Sequence, residues 1–341
     1  MIARAAALHG ARDLRIERVE TPPLPPGMVR VRFAAGGICG SDLHYFGHGR
    51  TGSFVVTEPL VLGHEIAGEV AEVSDGVEGL KHGTRVAVNP ARFCGHCSAC
   101  AGGRPNLCEN LFFMGSASRT PHMQGGFRDL IDVAPSQCVP VPDSLPIGHA
   151  ALAEPLAVCL HAAARAGDLK GRRVAITGAG PIGLLLLLVA RDQGAAATVV
   201  TDLAKGALDH AERLGASAVL DASDPDALAS QAPDVVFEAS GAPSALAAAI
   251  RVVRRGGTVV QVGNLPAGDL PAPLNLVMAK EVDLRGSLRF GHEFAEAVAL
   301  IVQGRIDVGA LVTSELPLDE APAAFALAAD RSRSVKVLLR P

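Results

Sequence analysis

Apolar and polar positions change their period along this chain. Up to about residue 140 they alternate in short runs such as MVRVRFAA (28–35), the pattern of half-buried strands. Residues 1–33 read as short strands with turns at His9–Arg12 and Pro22–Gly27, and PLVLGHEIAGEVAEV (59–73) and GTRVAVNP (83–90) continue the series. From residue 151 the pattern becomes helical stretches between continuous apolar strands. A helix is predicted over 151–169, then the strand–glycine–helix unit GRRVAITGAGPIGLLLLLVARD and a strand ending at Asp202. Helix 205–214, strand SAVLD, helix DALASQ, strand 234–240, helix 243–254, strand 258–264 and the segment 281–290 follow. Helices alternating with buried strands predict an open parallel sheet with right-handed crossovers. The tail holds an amphipathic helix, HEFAEAVALIVQGRI, and a closing strand, SVKVLLR. The expected architecture is α/β in two domains. Residues 1–150, completed by 290–341, form a mainly-β domain, residues 151–289 form the parallel-sheet domain, and the active site is expected in the cleft between them.

The 341 residues suffice for two cores. Hydrophobic residues make up 49% and aromatics only 4%, without Trp, so those cores must be Ala, Val, Leu and Ile. The net charge of -4 provides no basic footprint for nucleic acid or an anionic membrane. Mean hydropathy is positive at +0.29. Even so, the longest apolar run, AGPIGLLLLLVA (179–190), stops at Arg191, short of the roughly 20 residues a span needs. The first twenty residues lack a signal-peptide apolar stretch, and a soluble cytoplasmic protein is expected.

Chemistry enters through AAGGICGSDLH (34–44), which places Cys39, Ser41, Asp42 and His44 on what reads as one loop. A soft ligand, a hydroxyl, a carboxylate and an imidazole suit a zinc site that activates a substrate and then moves a proton. Gly63-His64-Glu65 is weak alone, but with Cys39 it makes a Cys–His–carboxylate set. The strongest local signal is Cys94, Cys97, Cys100 and Cys108, spaced as in a closed tetrahedral zinc site on a lobe spanning about 90–112. His96 could compete, although the four thiolates are complete without it. Cys138 and Cys159 read as small core residues. Glu154 opens the helix 151–169, either as a carboxylate at its positive end or as something more, and the local residues leave both open.

Gly178-x-Gly180-x-x-Gly183 follows a strand, opens a helix and has Asp202 about 20 residues on, the setting that makes the glycine pattern a dinucleotide site. The glycines let backbone N–H groups approach a pyrophosphate. Asp202 can hold the adenosine ribose and would repel a 2′-phosphate, so NAD is favoured over NADP, with Lys205 softening the preference. Ser240-Gly241 and Val262-Gly263-Asn264 fall after strands, where such sheets bind ligands.

Taken together, GGICGSDLHY, VLGHE, the CGHC…C…C run, FFMGSA, SQCVP, AEPLAV..HAA, GAGPIG, VFEASG, VQVG and LRGSLRF resemble the zinc-dependent medium-chain dehydrogenases, polyol branch, over nearly the whole chain. The resemblance implies a GroES-like catalytic domain, a Rossmann cofactor domain and two zinc ions per chain. Cys39, His64 and Glu65 match the catalytic-zinc positions, and Glu154 reaches that metal directly or through its water. Asp42 orients the liganding His64. Zinc polarises a secondary hydroxyl whose proton passes from Ser41 to His44 while the carbon gives a hydride to NAD. Tyr45, Phe113 and Arg289 match substrate-side positions. Gly178, Gly180, Pro181, Ile182, Gly183, Asp202, Ser240, Val262, Gly263, Asn264, Ser287, Leu288 and Arg289 match the cofactor side. One departure is Ala207, where some polyol members carry an Arg. The implied substrate is a small sugar acid or polyol, L-idonate to 5-ketogluconate first, with sorbitol or xylitol as the alternative and threonine or a silent relative less favoured. A homodimer or homotetramer pairing through EVDLRGSL (281–288) is expected.

Overall fold

The structure is a computed structural model that describes residues 2–341. The chain forms two compact units: Met1–Glu154 with Phe294–Gly304 and Val312–Pro341, and Pro155–Glu293 with Arg305–Leu311.

In the first unit, among the described residues, a seven-stranded sheet runs Cys138–Pro140, Arg85–Val88, Glu65–Val73, Val29–Gly37, Lys336–Arg340, Val312–Pro317, with Leu130–Val133 also paired to Val29–Gly37. The closing strand Lys336–Arg340 joins Val29–Gly37 antiparallel, Leu338 opposite Gly37. Strand Val312–Pro317 and helix Ala321–Ala329 were not legible in the sequence pattern. Phe33, Phe127 and Phe325 anchor the core under this sheet, with Phe127 and Phe325 meeting edge to face at 6.1 Å. The expected loop at 34–44 is instead a strand end followed by a helix, Gly40–His48, with Cys39 as its N-cap. The reason is local: the Asp42 carboxylate accepts the Cys39 N–H at 3.0 Å, so the acid at the third helical position satisfies the free start of the helix.

The second unit holds a six-stranded parallel sheet in the order Ala218–Asp221, Ala197–Asp202, Arg173–Thr177, Val235–Glu238, Thr258–Gln261, Asp283–Gly286. Chain order reverses between Arg173–Thr177 and Val235–Glu238, and such a switch point opens a ligand crevice at the carboxyl ends of the strands. Helix Pro181–Asp192 buries Leu184 to Leu187, which explains its run of leucines without a membrane. No helix among the described residues is long and apolar enough to cross a membrane. Asp283–Gly286 is an edge strand with Leu284 and Leu288 exposed, and the preceding helix, Leu274–Lys280, was not read from the sequence.

Candidate active site

Two strands and one helix of the first unit bring the metal-ligating set together. The strand Val29–Gly37 delivers Cys39 to the helix start, and Glu65–Val73 begins directly after His64, with Gly37 opposite Glu65 in the ladder. One donor atom each from Cys39, His64 and Glu65 lie within 4.8 Å of one another. His64 and Glu65 are buried, as is Asp42, whose carboxylate sits 3.6 Å from His64 Nδ1 and also accepts the Gly63 N–H. Glu154, 4% exposed, stands outside that 4.8 Å set and belongs to the same unit. Phe113 packs its ring 5.5 Å from that of His64. Tyr45 is buried in the core, its hydroxyl accepting the Ala117 N–H at 3.0 Å.

The electrostatics show what the set lacks. Burial, then the charge of Glu65, pushes the Cys39 thiol up to about 11. Burial pushes Glu154 up to about 8 and raises Asp42. Glu65 Oε2 and His64 Nδ1 have no hydrogen-bond partner. Crowded acids that resist ionisation and a carboxylate oxygen left without a donor are what a divalent cation would relieve. A thiolate, an imidazole and a carboxylate, with a further carboxylate nearby, suit zinc in an open catalytic site. Beside it, Ser41 stands two residues after Cys39, and its hydroxyl works against the upward push on that thiol. His44, one turn further, reaches solvent, while partial burial of its ring and then the neighbouring His48 lower its pKa. Along the helix, exposure rises from Ser41, half-buried, to His44, exposed.

Cys94, Cys97, Cys100 and Cys108 form a second set within 4.8 Å. The Cys94 and Cys100 sulfurs are 4.0 Å apart, close to the ~3.8 Å spacing of two thiolates on one tetrahedral zinc. Backbone N–H groups of His96 and Cys97 hold the Cys94 thiol down to about 6. His96 turns its ring to the Cys94 carbonyl at 2.8 Å and stands outside the four-thiol set. This lobe is a staple. Cys100→Ser is expected to remove one zinc per chain, expose residues 93–112 to protease and lower Tm by about 5 °C or more, as metal content and thermal melting would report.

The second unit carries the residues expected to hold the nucleotide. Gly178 has φ +97°, where only glycine is comfortable. A Cβ on Gly183 would fall 1.8 Å from the Gly178 carbonyl oxygen, so helix and strand can approach only with glycine there. Gly180 caps the helix with extended backbone and Pro181 opens it, with the Ile182 carbonyl accepting from Cys159. Asp202 ends its strand with Oδ2 on the Ala179 N–H and Oδ1 on the Ala204 N–H. The turns at Ser240-Gly241 and Val262-Gly263-Asn264 are joined by Glu238. Its carboxylate accepts from the N–H groups of Ser240 and Gly241, and its carbonyl from those of Val262 and Gly263. Ser287 keeps a buried hydroxyl without a partner, Leu288 is exposed and Arg289 adopts φ +51°. Glycines and a helix start at the switch point fit a dinucleotide.

Sequence reasoning missed Lys336, Gly37 and Glu238. A lone charge inside an apolar strand, VKVLL or VVFE, was the available signal for two of them.

The "Alcohol dehydrogenase GroES-like domain" family matches residues 25–143, and "Zinc-binding dehydrogenase" matches 181–303. L-idonate 5-dehydrogenase (NAD(P)(+)) of Escherichia coli (strain K12) is 40% identical over 91% of this chain and 90% of its own length. Sorbitol dehydrogenase of Bacillus subtilis (strain 168) is 36% identical over 99% of this chain and 97% of its own. The crystal structure of the Escherichia coli L-idonate 5-dehydrogenase superposes with a TM-score of 0.94 at 36% identity, covering 100% of this chain and 99% of that one.

Proposed function

Because this chain belongs to the zinc-dependent medium-chain polyol dehydrogenases, we propose that it oxidises a secondary hydroxyl of a sugar acid, L-idonate to 5-ketogluconate, reversibly and with NAD preferred. The convergence of half-buried Cys39 with buried His64 and Glu65 in one set carries the reading. When bound, zinc supplies a Lewis acid for the alcohol oxygen, and the nicotinamide supplies the hydride acceptor. Cys39, His64 and Glu65 would hold the metal, with Glu154 at its open side. Asp42, 3.6 Å from His64 Nδ1, would orient the imidazole through that nitrogen when the other ligates. Ser41 receives the hydroxyl proton, and His44 hands it to solvent. Burial keeps water from the reacting atoms.

The substrate assignment leans on likeness to the Escherichia coli enzyme; the Arg289 guanidinium can grip a carboxylate or polyol hydroxyls bidentately and does not by itself select the acid. A neutral polyol is the second reading, favoured by the sorbitol dehydrogenase that spans 99% of the chain. The exposed edge strand Asp283–Gly286 supports a homo-oligomer paired through it. The test is kcat/KM for L-idonate, gluconate, sorbitol, xylitol and threonine with NAD and NADP. L-idonate is expected to lead the neutral polyols by about 10-fold, 1.4 kcal/mol of transition-state preference. Sorbitol ahead by the same margin would overturn the substrate while leaving the zinc chemistry intact.

A further inference from the structure

Lys336 arrives from the far end of the chain and is buried at 2% exposure. A buried ammonium needs partners. Lys336 Nζ donates to Glu65 Oε1 at 2.6 Å and to the Ile38 carbonyl at 3.0 Å. The other carboxylate oxygen, Oε2, has no partner, although Glu65 is wholly buried. Gly37 lies opposite Glu65 in one ladder and opposite Leu338 in the next, so three strands meet at this point. Its backbone is that of a strand and not left-handed, so conformation alone does not demand glycine. Space does: a Cβ on Gly37 would fall 1.9 Å from Glu65 Oε2 and 3.0 Å from Cδ.

We propose that Lys336 and Gly37 are positioning residues of the metal centre that act through Glu65, Lys336 by engaging Oε1 and Gly37 by leaving the room in which Oε2 stays available to a cation. The inference rests on Glu65 as a ligand and adds how its carboxylate is aimed. With Oε1 held, Glu65 offers the metal one oxygen rather than two. Lys336 also brings a positive charge to a pocket crowded by Cys39, Asp42, Glu65 and Glu154. The return of the C-terminal strand to the first sheet therefore completes the metal centre as well as the fold.

The test is zinc per chain and its rate of loss to a chelator, measured on the full-length zinc-loaded protein without reference to turnover. Lys336→Met and Gly37→Ala are each expected to lose one of two zinc ions at least about tenfold more readily, the usual effect of removing a residue that orients a ligand. The four-cysteine zinc stays in place and reports a folded chain. Lys336→Arg, which keeps the charge, restores retention. Two zinc ions held as firmly as in the wild type by both Lys336→Met and Gly37→Ala would overturn the proposal. Glu65→Ala separates the two levels. If it too retains both ions, Glu65 is no ligand and the reading beneath fails. If it alone loses one, only the positioning role fails.

Discussion

Cys39→Ser is expected to abolish practical turnover, lowering kcat by about 10³-fold or more, since a metal that stabilises developing charge supplies several kcal/mol and each 1.36 kcal/mol is a factor of ten. The serine hydroxyl is a poor substitute for a thiolate on a soft cation. Its loss leaves His64 and Glu65 as the only members of the set within 4.8 Å. The variant should fold, because Cys39 caps a nine-residue helix whose start is also held by the Asp42 carboxylate on the backbone N–H of residue 39, a bond that does not involve the sulfur. Zinc content should fall from two ions per chain to one, with the Cys94–Cys108 lobe keeping its own. Metal analysis beside steady-state kinetics decides the matter. Turnover near wild type with one zinc per chain would show that the chemistry does not need the Cys39 site.

The sequence disclosed the chemistry here better than the geometry. Cys39, His64 and Glu65 could be grouped because thiol, imidazole and carboxylate in short glycine-bounded segments have few reasons to coincide. The helix that carries Ser41, Asp42 and His44 could not be read, because GSDLHYFGH lacks a clean apolar stripe and its start depends on one side chain-to-backbone bond. Asp42 and Tyr45 face inward on that helix, and their burial is a matter of tertiary packing. Lys336 was harder still. A lysine in an alternating strand reads as its solvent face, and only the pairing of strands almost 300 residues apart places it on Glu65. The parallel sheet was legible because its four inner strands are buried on both faces and punctuated by helices at regular intervals. Helix Leu274–Lys280 escaped because it exposes Leu274 and Met278, which blurs its apolar face.

If cofactor choice turns on Asp202, as proposed, the structure alters what a substitution there tests. Both carboxylate oxygens already accept backbone N–H groups, Ala179 at 2.8 Å within the glycine turn and Ala204 at 2.9 Å beyond the strand. The residue is 7% exposed. Asp202 therefore shapes the turn in addition to its proposed contact with a ribose, so its removal should act twice. Asp202→Ala should lower kcat/KM with NAD by about 10²-fold, since hydrogen bonds to a charged group are worth roughly 1.5–3 kcal/mol each. With NADP the loss should be smaller, because the carboxylate that would repel a 2′-phosphate is gone and Lys205, exposed three residues on, is left to meet it. Ala207, buried in the following helix, brings no second cation. Asp202→Asn separates the two effects. It keeps one acceptor oxygen for the turn and loses the charge, so the melting temperature without cofactor should recover part of what alanine loses, while the shift toward NADP persists. A ratio of NAD to NADP efficiency that stays at the wild-type value in both variants would place ribose recognition on another residue and leave Asp202 as a brace for the glycine turn.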